Sequence, residues 1–100
     1  MNNSTLAGGY QPRPIRKIYL FTNESGQFVA CADDGKLTFV DSPLQAVKCH
    51  HAWLTREVAE RKLKNAVTMI RDCPLLKVTH AYVRLGPMGW MMASEEGYRR

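Results

Sequence analysis

No run of apolar residues in this 100-residue chain approaches the roughly 20 that a helix needs to span a bilayer. The opening stretch "MNNSTLAGGYQPRP" lacks a charged region followed by an apolar one, so a signal peptide is not expected there. A soluble, cytoplasmic protein with no membrane partner is the expectation that follows. Cysteine is scarce: Cys31, Cys49 and Cys73 form an odd set without CxxC spacing. That pattern argues against a secreted disulfide scaffold and favours reduced thiols used as small apolar residues. Glycine-rich phosphate loops, serine elbows, internal repeats and low-complexity runs are all missing, and no cofactor is expected.

What is present describes one modest domain. One hundred residues is about one domain's worth, and 45% hydrophobic content is ordinary for a globular protein. The net charge is +5, from 14 Lys and Arg against 9 Asp and Glu. Its placement matters more than its sum. Arg13, Arg16 and Lys17 cluster early, whereas nine bases face seven acids over residues 18–94. Residues 1–14 are polar, with Gly8-Gly9 and two prolines, and read as a disordered arm. Residues 15–94 read as a single α+β domain and 95–100 as a charged tail.

Within the domain, Ile18 to Thr22, Gln27 to Ala32 and Lys36 to Val40 have the composition of short strands. "NESG" and "DDG" between them carry turn chemistry, and Gly26 is free to take a positive φ. Ser42 is a candidate N-cap with Pro43 at the first helical position of a short helix. Thr55 is a second candidate cap, with Glu57 well placed in the first turn of a helix from Arg56 to Arg71. Ala59, Leu63, Ala66 and Ile70, with Val67 beside them, mark its apolar face. Glu57 with Arg61 and Glu60 with Lys64 are spaced as i,i+4 ion pairs. Pro74 ends the helix. "LLKVTHAYVRL" alternates like a strand, "GPMG" turns the chain, and "WMMA" supplies one more strand. The order β-β-β-α-β, with a possible further strand, predicts an antiparallel sheet of four to five short strands with one long helix on one face.

The stretch "KCHHAW" poses the sharpest chemical question. Adjacent residues diverge on strands and helices alike, so Cys49, His50 and His51 are not expected to converge on one metal ion. A histidine next in sequence to a cysteine is also badly placed to act as its base. The expectation is that Cys49 turns inward, that one histidine is half-buried and the other wet, and that Trp53 anchors the core. No catalytic or metal-ligating residue is therefore assigned, and an enzyme is not expected.

Two binding readings remain. Arg56, Arg61, Lys62, Lys64 and Arg71 give the long helix five cations, and Trp90 stands with Met91 and Met92 after a Pro-Gly turn. Tryptophan is enriched at binding hot spots and methionine at adaptable interaction surfaces. The competing role for Trp90 and Met92 is the strand's inward face. These residues make a protein or ribonucleoprotein complex the expected partner, with self-association open. The alternative is a nucleic-acid-binding module that uses helix 56–71, the basic arm and a sheet bearing Tyr19, Phe21 and Phe28 as stacking faces.

The stretch "IYLFTNESGQFVACADDGKLTFVDSPLQAVKCHHAWLTREVAERKL" resembles, in its layout, small accessory proteins of phages and mobile elements of the anti-CRISPR or anti-defence type. Strand, glycine turn, two strands, "DSPLQA" and a Thr-capped helix through "REVAE" carry the likeness. The resemblance implies a non-enzymatic, stoichiometric inhibitor of a bacterial defence (CRISPR-type) complex, acting in the host cytosol. The chain departs from many such inhibitors in being basic, and no site residue is carried over.

Overall fold

The computed structural model describes residues 13–32, 34, 36–69 and 75–100, with side chains of the long helix described as far as residue 65. The arm over residues 1–12, Asp33, Gly35, Arg71, Cys73, Pro74 and the helix-face side chains of Ala66, Val67 and Ile70 lie outside the described residues. The elements are β1 (Arg16–Thr22), β2 (Phe28–Cys31), β3 (Leu37–Val40), α1 (Pro43–Lys48), α2 (Arg56–Met69), β4 (Lys77–Gly86), β5 (Gly89–Met92) and α3 (Glu95–Arg99). The fold is α+β, with a curled five-stranded antiparallel sheet in the order β3-β2-β1-β4-β5.

Local chemistry makes the turns and caps. Asn23 closes the β1–β2 turn by accepting the Ser25 and Gln27 N–H groups on its Oδ1 at 3.0 and 2.9 Å. Gly26 sits at φ +81°, a conformation that glycine adopts without a Cβ clash. Ser42 Oγ accepts the Leu44 N–H at 3.2 Å, with Pro43 opening α1. Thr55 Oγ1 accepts the Val58 N–H at 3.3 Å and so caps α2.

Strand alternation divides the core. Ile18 and Leu20 point to one face, where they join Ala30, Ala46 and Val83 under α1. Tyr19 and Phe21 point to the other, where Phe21 joins Val29 and Ala59 under α2. The long helix thus covers one face as expected, through Ala59 and the half-buried Leu63, and the short helix covers part of the opposite one.

The register shows why the sheet curls. β1 and β4 pair along seven residues, from Arg16↔Val83 to Thr22↔Lys77. β1 and β2 pair only at Thr22↔Phe28, next to their turn, and then part. The gap is filled by the segment between the two helices. Trp53 donates its N–H to the Tyr19 carbonyl at 2.9 Å and accepts the Tyr19 N–H at 2.7 Å. On the other side, Cys31 N–H points away from β3, because its neighbour Ala32 donates to Lys36 O at 2.8 Å. The Cys49 thiol accepts that Cys31 N–H at 2.9 Å.

Residues 95–100 are more than a charged tail. Ser94 caps α3 by accepting the Gly97 N–H at 3.0 Å, and Arg99 and Arg100 pair with Glu95 and Glu96 one turn back. Tyr98 packs on Tyr82 with centroids 5.1 Å apart. The expected pairs Glu57–Arg61 and Glu60–Lys64 do not close: among the described residues, the ion pairs are those of α3. Pairing at such exposure is worth only about 0.5 kcal/mol in either helix.

Leu20 is fully buried, whereas Leu63 is half-buried. Leu20→Ala is expected to cost about 3–5 kcal/mol and Leu63→Ala about 2 kcal/mol or less, measured by urea unfolding. Equal costs at the two positions would contradict the division of the core described above.

Candidate functional site

Cys49, His50 and His51 resolve into three separate structural roles. α1 ends in a Schellman motif: His51 N–H bonds to Ala46 O at 2.7 Å, and His50 N–H to Val47 O at 3.0 Å. The motif needs a left-handed residue between helix and exit. His50 supplies it at φ +59° with an exposed side chain, in the position glycine usually takes. Cys49 faces the parted edge of β2, and its thiol also donates to Ala46 O at 3.4 Å. His51 lies edge-on to both Phe21 and Trp53, with centroids 5.3 and 4.9 Å away.

The structure brings Cys31 near this trio, with its Sγ 3.9 Å from His51 Nδ1. The electrostatics work against a nucleophile. Burial pushes the Cys31 thiol above its ordinary 9.0, and the neighbouring Cys49 pushes it further, so it is protonated at neutral pH. Burial holds the His51 imidazole below its ordinary 6.5, and Nε2 is buried without a hydrogen-bond partner. A neutral ring wedged between two aromatics suits a core residue. Among the described residues, no three His, Cys, Asp or Glu side chains gather as a metal site. A groove of about 450 Å³ beside Cys31 and Cys49 is bordered by Thr38, Gln45 and Lys48.

The expected partner-binding residues fall on two surfaces. Arg56, Arg61, Lys62 and Lys64 are exposed on α2. Arg71 lies outside the described residues. Trp90 is half-buried on the opposite face of the sheet, packed against the core under α1. It borders a groove of about 240 Å³ with Arg16, Val47, His50 and Leu54. Trp90 is therefore largely the inward-facing residue of its strand, while Met91 and Met92 stay 44% and 48% exposed. Of the three aromatics considered as stacking faces, Phe21 is fully buried and Phe28 packs on the α1 side. Tyr19 is half-buried beside α2 and packs against the Phe21 cluster.

A second set of residues was visible in the sequence only as alternation. His80, Tyr82 and Arg84 share one side of β4, and the register sets Tyr19 opposite His80 and Lys17 opposite Tyr82. Tyr19 and His80 meet edge-on at 6.3 Å, His80 and Tyr82 at 5.5 Å. Arg56 from α2 and Lys17 both lie over the Tyr19 ring, at 5.4 and 5.5 Å from its centroid. The five strands carry Arg16, Lys17, Lys77 and Arg84 and no acidic residue. No protein-family model, curated protein or solved structure matches the chain.

Two expectations follow for the segment that fills the sheet. His50→Gly relieves the left-handed strain and is expected to raise stability by up to about 1 kcal/mol, whereas His50→Val lowers it by about 1–2 kcal/mol. Above pH 6.5 the folded and unfolded chains both hold His51 neutral; below 6.5 the unfolded chain takes up the proton first. Stability is therefore expected to fall as pH drops below 6.5, with a shallower fall in His51→Phe. Chemical denaturation across that pH range measures both effects.

Proposed function

We propose that the chain is a non-enzymatic binding protein that acts at fixed stoichiometry on an anionic protein or ribonucleoprotein complex. One observation carries this reading. Arg56, Arg61, Lys62 and Lys64 project from α2 into solvent, and none of them closes an ion pair with a described carboxylate, although Glu57 and Glu60 lie one turn from Arg61 and Lys64. Cations left unneutralised by their own chain present a positive potential that steers and orients an acidic partner. The helix beneath them is anchored through Ala59 and capped by Thr55, so the charges stand on a rigid element. The likeness in layout to phage-borne inhibitors supports a bacterial defence complex of the CRISPR type as the target class.

Titration against a purified effector ribonucleoprotein tests the proposal. Inhibition is expected to saturate at a constant ratio of chain to target. Combined reversal of Arg61, Lys62 and Lys64 to Glu is expected to weaken target binding by more than about 1 kcal/mol while circular dichroism stays unchanged. Inactivation of many targets by one chain, or undiminished binding by the folded reversal variant, would defeat it.

A further inference from the structure

We infer that the sheet face beside α2 is a docking surface for a single strand of nucleic acid, recognised through its unstacked bases as well as its phosphates. This goes beyond the binding reading above, because it uses the rings and cations of the sheet and shares only Arg56 with the α2 surface.

The rings form a connected row. Tyr19 on β1 meets His80 on β4, His80 meets Tyr82, and Tyr82 meets Tyr98 on α3, with centroid separations of 6.3, 5.5 and 5.1 Å. Tyr82 is covered and acts as the brace. The accessible rings are exposed His80 and Tyr98, which is 43% exposed, whereas half-buried Tyr19 packs against the Phe21 cluster with Lys17 and Arg56 over its ring. Such rings, held by neighbours and partly open to solvent, offer faces and edges on which bases stack whatever their identity.

The charges flank the row. Lys17 lies opposite Tyr82 in the register, Arg84 follows Tyr82 by two residues on the same side of β4, and Arg56 leans over Tyr19 from the first turn of α2. The strands contribute no carboxylate to this face. Of the acids on the helices beside the row, Glu95 and Glu96 are bound to Arg99 and Arg100, and Glu57 adjoins Arg56 in the sequence; Glu24 lies in the turn after β1. Phosphates supply the negative charge that Lys17, Arg56 and Arg84 lack. Duplexes hide the faces of their bases, so rings at this spacing favour a single strand. An acidic polypeptide would satisfy the cations and leave the rings without stacking partners.

Fluorescence anisotropy of labelled oligo(dT) and oligo(U), with a duplex, inorganic polyphosphate and a polyglutamate peptide as competitors, tests the assignment on the full chain. Either oligomer is expected to bind at low salt and to resist competition by polyphosphate of equal charge. His80→Ala, which removes an exposed ring, is expected to weaken binding by roughly tenfold. Lys17→Gln and Arg84→Gln are each expected to lower the slope of log affinity against log salt by about 0.7, the loss of one phosphate contact on a single strand. Reversal of Arg61, Lys62 and Lys64 is expected to leave the ring dependence intact, which separates this surface from the α2 surface. Three results would each overturn the inference: no binding at low salt, equal competition by polyphosphate, or a folded His80→Ala protein that binds as well as the parent. Stronger competition by polyglutamate than by the oligomers would overturn it in favour of an acidic protein on the same face.

Discussion

Two backbone hydrogen bonds between Tyr19 and Trp53 hold together a sheet that would otherwise be split. β1 and β2 leave their turn as neighbours and part after one pair, which strips backbone groups on both inner edges of strand partners. Buried amides without partners cost several times what an ordinary hydrogen bond contributes. Trp53 serves the β1 edge and the Cys49 thiol serves the β2 edge, so residues 49–53 act as a short irregular strand inside the gap. The side chains of the same segment fill the space. Trp53 and His51 lie against Phe21, and Ala52 packs on the opposite face.

That arrangement accounts for the placement of the helices. α1 must end where the gap begins, and the left-handed His50 turns the chain into it. The chain leaves the gap on the Phe21 side, and α2 starts there, three residues after Trp53, capped by Thr55. α1 and α2 therefore lie on opposite faces of the sheet. The first residue of α2, Arg56, comes to rest over Tyr19, the same residue whose backbone closes the gap. The proposed binding surface is thus tied to the fold at the gap in the sheet.

The same packing gives Cys31, Cys49 and His51 structural roles. Cys31 is held protonated by burial, His51 is held neutral by burial, and Cys49 spends its sulfur on backbone groups. The charge left on the surface is mostly basic on the strands and mixed on the helices. Of the rings and cations in the proposed docking surface, Lys17, Tyr19, His80, Tyr82 and Arg84 sit on strands whose register fixes their spacing.

Much of this was legible in the sequence, because it depends on neighbours along the chain. Asn23 with Gly26, Ser42 with Pro43, and Thr55 with Glu57 act within a few residues of themselves, and each marks a turn or cap that the structure contains. The strand alternation of β1 and β4 and the helical period around Ala59 and Leu63 likewise follow from local geometry, and together they imply the α+β class. The α3 cap, Ser94 followed by Glu95 and Glu96, was equally local; its charge masked it as a tail. Register and packing were settled only in three dimensions. Phe21 and Tyr19 are both aromatic residues on one strand, pointing to the same face, yet Phe21 is fully buried under α2 and Trp53 while Tyr19 is half-buried beneath Lys17 and Arg56. No spacing rule distinguishes them, since the difference is made by residues more than thirty positions away. The meeting of Tyr19 with His80, of Tyr82 with Tyr98, and of the Cys31 amide with the Cys49 thiol arises the same way. Each is a contact between distant parts of the chain, set by the pairing of β1 with β4 and by the gap that residues 49–53 fill.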